Sequence, residues 1–229
     1  MKSFSLAALL LVMLPSSSCL PSLQSLVTYD NVTEDNRIIG TWLHDNTDFK
    51  VEKLEQSAIY NEIVEGIDVK EEDGQEKKPL TTRLRQDSIL NSHAYAITYH
   101  EEDITYYLLA TLTKVNTDLF IQLNPIVIDD PQSPNGSGLD YTFDYLSAAT
   151  FAKVVISNNN MVQLQFADGD HIKDLIQKGN MRIKHESDNL FGTFLVTAST
   201  RDLRSFFEKY SHDERFFSKK NSFTLTRKG

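Results

Sequence analysis

From Gly40 toward its C terminus the chain is a run of short segments in which apolar, aromatic and β-branched residues alternate with polar ones, each stopped by turn-forming residues. A period of two places alternate side chains on opposite faces, and strands parted by short polar turns predict an antiparallel meander. Residues 48–54, 58–64, 94–99, 106–112, 119–125, 150–156, 161–166, 181–185, 190–196 and 222–226 read as strands. Two segments break the period. Asp168-Gly169-Asp170 caps a short helix that puts Ile172, Leu175 and Ile176 on one side and ends at Gly179. Ser199-Thr200-Arg201-Asp202 opens a second, in which Leu203, Phe206, Phe207 and Tyr210 form an apolar stripe suited to a sheet. The expected fold is therefore mainly β, an antiparallel barrel with about two short helices against an end or side. An open α+β sheet is the alternative.

The only tryptophan lies in the stretch Asn36-Arg-Ile-Ile-Gly-Thr-Trp-Leu43. Gly40 lets a backbone pass close beneath a large ring, and Ile38, Ile39 and Thr41 favour extended chain. The stretch reads as a first strand whose indole plugs one end of a curled sheet, with Gly40 and Trp42 as the structural plug. Gly40-Thr41-Trp42 near a first strand resembles the lipocalin superfamily. Taken with Leu195-Val-Thr-Ala-Ser-Thr-Arg-Asp-Leu-Arg-Ser-Phe-Phe207 and Ala149-Thr-Phe-Ala-Lys-Val154, the chain is similar to a family of uncharacterised bacterial lipoproteins with lipocalin-like barrels. The resemblance covers Arg37 to Arg227 and implies a lipocalin-like barrel but no activity.

What precedes the barrel reads as delivery. Lys2 gives a positive start, residues 4–14 are apolar, and Pro15 ends the run. That is a signal-peptide length, too short to span a bilayer core of roughly 30 Å as a helix. Ser16-Ser17-Ser18 leads directly into Cys19, the only cysteine in 229 residues. The arrangement resembles the lipobox of bacterial lipoproteins, which implies a diacylglyceryl group on the Cys19 thiol and cleavage just before it. An ordinary signal peptidase, leaving Cys19 unmodified, fits the same small residues. The expected organisation is a signal peptide at 1–18, a lipid-anchored tether at 19–36 and a barrel domain at 37–229, held at a membrane of the bacterial cell envelope. No internal disulfide can form.

A net charge of −9 disfavours nucleic-acid binding through phosphates, which needs clustered Lys and Arg. The six histidines show no metal-ligand spacing, so no metal or other cofactor is expected. Residues 129–140 lack the ligand pattern of a calcium loop, and 135–138 is not a nucleophile elbow. No enzyme signature is present, leaving catalysis from dispersed residues the least favoured reading. The case for binding rests on shape, because a small barrel either fills its interior or leaves room for one apolar ligand. Tyr60, Tyr95, Tyr99, Tyr106, Phe120 and Phe151 are the candidates to line such an interior, each of them equally suited to plain core. Two readings stand: an exported, lipid-anchored barrel binding a small apolar or amphipathic molecule, or a filled barrel serving as a structural or interaction module of the envelope. In the second, the working surfaces are the charged stretch 66–91 and the loop 129–140.

Overall fold

A computed structural model describes residues 20–60, 92–101, 104–126, 148–158, 160–188 and 193–229. The leader, Cys19 and the stretches 66–91 and 129–140 lie outside the described residues. The strands are β1 (Val32–Thr33), β2 (Gly40–His44), β3 (Thr47–Lys53), β4 (Tyr95–Glu101), β5 (Ile104–Val115), β6 (Asp118–Ile126), β7 (Thr150–Asn158), β8 (Met161–Phe166), β9 (His185–Asp188), β10 (Thr193–Val196) and β11 (Ser222–Arg227). Among the described residues, α-helices α1 (Gly169–Gln177) and α2 (Thr200–Tyr210) follow β8 and β10.

Strands β5-β4-β3-β2-β11-β8-β7-β6 pair in that order, and β6 pairs back onto β5, so eight antiparallel strands close a barrel. Closure removes the unpaired edges an open sheet would expose. The protein is thus a mainly β, lipocalin-like barrel with short helices, and the open sheet is excluded. The turns carry the residues their backbone requires: Asp45, between β2 and β3, and Asn116, between β5 and β6, have φ of 51° and 55°. Asp and Asn tolerate this left-handed region better than other non-glycine residues.

Register fixes which face is inside. Trp42 opposes Phe49, Phe49 opposes Tyr99, and Tyr99 opposes Tyr106. The same inward set continues through Val51, Ile97, Leu112, Ile121, Val154, Leu164 and Leu225, which form one buried cluster with Trp42 and Tyr95. The outer face of β6 and β7 is apolar as well, because the helices cover it. Phe120 and Phe151 join Phe206, Phe207, Phe216 and Phe217 there in a second cluster.

Both helices start at the residues expected. The Asp168 side chain accepts from the His171 amide, and the Ser199 side chain accepts from the Asp202 amide. Gly179, with φ of 71°, ends the first helical segment, its amide donating to the Ile176 carbonyl at 2.9 Å. The C-terminal end of α2 is fastened to the barrel. Asn116 Nδ2 donates to the Glu208 carbonyl at 2.8 Å, and Lys153 Nζ donates to the Ser211 carbonyl at 3.1 Å while pairing with Asp118 at 2.9 Å. A cation among the last carbonyls of a helix meets groups that have no partner within it.

Four readings of the sequence need correction. The first strand begins at Gly40, not Asn36: Asn36–Ile38 is a 3-10 turn capped by Asp35, and it brings the Ile38 carbonyl to the indole of Trp42. Residues 58–60 are helical rather than extended, packing Ile59 against Leu54, Ala94 and Ala96. The strands expected at 181–185 and 190–196 shift to His185–Asp188 and Thr193–Val196 and make a separate two-stranded ribbon.

The stretch 20–36, expected as a tether, is part of the fold. Leu20 and Leu26 are fully buried. The Ser22 amide donates to the Ala149 carbonyl at 2.9 Å, and the Gln122 Oε1 accepts from Ser25 Oγ at 2.8 Å and the Leu26 amide at 2.9 Å. Serines and a proline without periodicity resemble a linker. Here a glutamine on the neighbouring sheet satisfies their backbone, as buried amides require.

Candidate functional site

The barrel has two unlike ends. At the base the chain crosses beneath the interior from β1 to β2, and the side chains there close it. Trp42 is 1% exposed, and its indole donates to the Ile38 carbonyl at 2.7 Å. The Arg227 guanidinium lies 4.3 Å from the indole centroid and donates to the Ile39 and Arg37 carbonyls at 3.0 and 2.9 Å. The last strand, the first full strand and the base turn are thereby joined through one cation stacked on one ring.

Gly40 is required for this. Its φ is 140°, and a Cβ at that position would lie 2.3 Å from Arg227 Nη1. Backbone strain and displacement of a guanidinium held by two carbonyls lead us to expect Gly40→Ala to cost about 2–4 kcal/mol in urea denaturation. In an Arg227→Ala background the same change is expected to cost about 1–3 kcal/mol, the backbone part alone. Equal costs in both backgrounds would contradict the contact.

The rest of the base is polar and paired. Tyr95 Oη accepts from the Asp35 amide at 2.9 Å, and burial raises the Tyr95 pKa. Lys53 pairs with Glu34 at 2.6 Å and lies 4.8 Å from the Tyr95 ring centroid. These contacts pin the crossing chain to strands β3 and β4. They account for Tyr95, fully buried among the interior residues, as a closing side chain at the base.

The other end is lined by aromatic rings. His44 lies 3.6 Å from Phe223, Phe49 lies 5.3 Å from Phe223 and 5.0 Å from Tyr99, and Tyr99 stacks on Tyr106 at 4.9 Å. All five are half-buried, unlike the fully buried Trp42 and Tyr95 below them. By register all five point inward, so they form a continuous aromatic wall at the mouth above an apolar interior. The His44 ring is oriented by a 2.9 Å hydrogen bond between its Nδ1 and the Thr224 carbonyl, which fixes Nδ1 as donor.

Of the residues the sequence nominated for an interior, the structure brings Tyr95, Tyr99 and Tyr106 onto the inner face. Phe120 and Phe151 instead lie outside, 5.2 and 5.3 Å from Phe207. Tyr60 packs on the outer cluster of Leu54, Ile59, Ala94 and Ala96. His44, Phe49 and Phe223 escaped notice as a group because they stand in three different strands, β2, β3 and β11, which only the folded barrel brings together. Strand parity counted from Trp42 would have placed His44 beside it on the inner face.

Among the described residues no cluster of His, Cys, Asp and Glu could hold a metal ion, and no helix is long and apolar enough to cross a membrane. One charged pair away from the mouth serves local structure. Arg215 donates to both carboxylate oxygens of Asp213, at 2.9 and 2.6 Å, in the turn that follows α2. Hydrogen bonding by Arg215 lowers the Asp213 pKa from 3.8 to about 2. A depressed acid stabilises the fold above its unfolded pKa, and that contribution is lost as pH falls from about 4 through about 2. A carboxyl NMR titration is expected to find the Asp213 midpoint near 2 in the wild type and clearly higher in Arg215→Ala, which keeps only the backbone amide of residue 215 as a donor. A midpoint unmoved by that substitution would contradict the pairing. Compared with protein-family models, with curated proteins and with solved structures, the chain matches none.

Proposed function

We propose that this protein is an exported, lipid-anchored carrier or sensor of a small apolar or amphipathic molecule, which enters the barrel past His44, Phe49, Tyr99, Tyr106 and Phe223. It is a binding protein and not an enzyme. The observation that carries this reading is the contrast between the ends: a base sealed by Trp42 and Arg227, and an inward aromatic wall left half-buried. Phe207 and Phe216, which serve as core on the outer face, are by contrast fully buried. Rings that stay partly accessible above an apolar interior suit a ligand that is itself apolar.

The anchor rests on the sequence: a signal-length apolar run ending at Ser16-Ser17-Ser18-Cys19, and the resemblance to lipocalin-like bacterial lipoproteins. Two or three acyl chains on one cysteine hold a protein to a membrane far more firmly than one. Native mass spectrometry of the protein extracted from its membrane by mild detergent tests both parts. Acyl mass on Cys19 and a non-covalent adduct of lipid size are the expected results. A free Cys19 thiol removes the anchor, and an adduct-free barrel favours the filled interaction module instead.

A further inference from the structure

Beside α2 the surface holds a cleft of about 600 Å³, walled by the segment 179–184 on one side and by the helix on the other. Its apolar lining comes from Ile183 and Tyr210, both half-buried, and from Met181 and Phe206, which are nearly fully buried. Around them stand Arg182, Lys184 and Lys209, all exposed, against one carboxylate, Asp202. Three of four charged lining groups are thus cations, in a chain whose net charge is −9. Lys209 lies 5.0 Å from the Tyr210 ring. Neither Arg182 nor Lys184 has an ion-pair partner among the described residues.

The location of the cleft gives the charge a meaning. The Val196 amide donates to the Pro21 carbonyl at 2.9 Å, and Val196 pairs on its other side with His185. The neighbouring Thr197 amide donates to the Lys184 carbonyl at 3.0 Å. Two interstrand steps of about 4.8 Å therefore separate Pro21 from the start of the cleft, and Cys19 is two residues further, adding at most about 7 Å. Leu20 is fully buried, so no free spacer intervenes between Cys19 and the folded domain.

We infer that this cleft is a docking site for the headgroups of anionic phospholipids in the membrane that holds Cys19. The inference rests on the anchored reading above. Acyl chains at Cys19 bring the bilayer surface to within roughly 20 Å of Lys184, by the spacings just given, with Arg182 two residues further along the cleft. That spacing is an upper limit, and rotation about the anchor brings the cleft to the surface, where a phosphate accepts from the guanidinium and the ammonium groups while the half-buried Ile183 and Tyr210 meet the glycerol. The anchor alone would leave the barrel free to rotate about one point. A second, electrostatic contact fixes which face lies against the membrane.

The test removes the anchor. The full chain carrying Cys19→Ser is co-sedimented with vesicles of phosphatidylcholine alone or mixed with phosphatidylglycerol. Binding to the anionic vesicles only, weakened by added salt, is expected. Replacing Arg182 and Lys184 together by glutamine is expected to lower the partition coefficient roughly 30-fold, at about fivefold per basic residue. Trp42 emission should stay unchanged in that variant, showing that the fold is intact. Equal binding to both vesicle types, binding to neither, undiminished binding by the double variant, or uptake of inorganic phosphate with no vesicle binding would each overturn the site. A free Cys19 thiol in the native protein would overturn the anchor instead, which is read by mass and independently of the vesicles.

Discussion

Trp42→Ala is expected to lower stability by about 3–5 kcal/mol, seen as a large fall in the urea midpoint. An indole buries about 200 Å², which at about 25 cal/mol per Å² corresponds to about 5 kcal/mol. The substitution also leaves the Ile38 carbonyl without its 2.7 Å donor and the Arg227 guanidinium without its ring. Partial collapse of the base offsets some of this, which is why the expected range starts below the full transfer value. Because Trp42 is the only tryptophan, its emission in the wild type should be blue-shifted and poorly quenched by acrylamide until the barrel unfolds. An unchanged midpoint in the variant, or a water-exposed emission in the native protein, would show that the ring does not seal the base.

Phe207→Ala is expected to cost a similar ~3–5 kcal/mol, by a different route. Phe207 is fully buried outside the barrel, with ring centroids 5.2 Å from Phe120, 5.3 Å from Phe151 and 5.9 Å from Phe217. Removing the ring leaves a cavity between α2 and the sheet, where aromatic edge-to-face contacts are also lost. Local opening of the helical layer should then precede global unfolding, so amide exchange in residues 199–217 is expected to accelerate more than exchange in β2 to β5. Uniform acceleration across the chain would mean that helices and barrel unfold as one unit. Unaltered exchange in 199–217 would mean that Phe207 does not hold the helix in place.

Most barrel strands, both helix caps and the closing C-terminal strand are legible because each depends on local pattern: alternation around Phe49 and Val51, Asp168 and Ser199 as caps, Phe223 and Leu225 in β11. Which face of a strand is inside was not legible where both faces are apolar. In β6, Leu119 and Ile121 face the interior while Phe120 faces α2, and nothing in Leu-Phe-Ile announces which ring a helix will cover. The packing of residues 20–31 was hidden for another reason. Its chief partner, Gln122, is about 100 residues away, so no local period records it. Arg227 likewise gives no sign in sequence of lying over Trp42, because the contact exists only once β11 pairs with β2. The mouth was half legible: Tyr99 and Tyr106 were nominated as aromatics in apolar strands, whereas His44 and Phe223 reach the site through closure of the barrel alone.

Whether the aromatic mouth admits an apolar ligand is tested most directly by titrating the purified protein with a fluorescent fatty acid. One saturable site is expected in the wild type. Tyr106→Glu, which places a charge on the inner wall at a half-buried position, should weaken binding by at least roughly tenfold, equivalent to the 1.4 kcal/mol of a tenfold affinity change. Its melting temperature should move little. Absence of saturable binding in the wild type, or equal affinity in Tyr106→Glu, would contradict a ligand in the barrel.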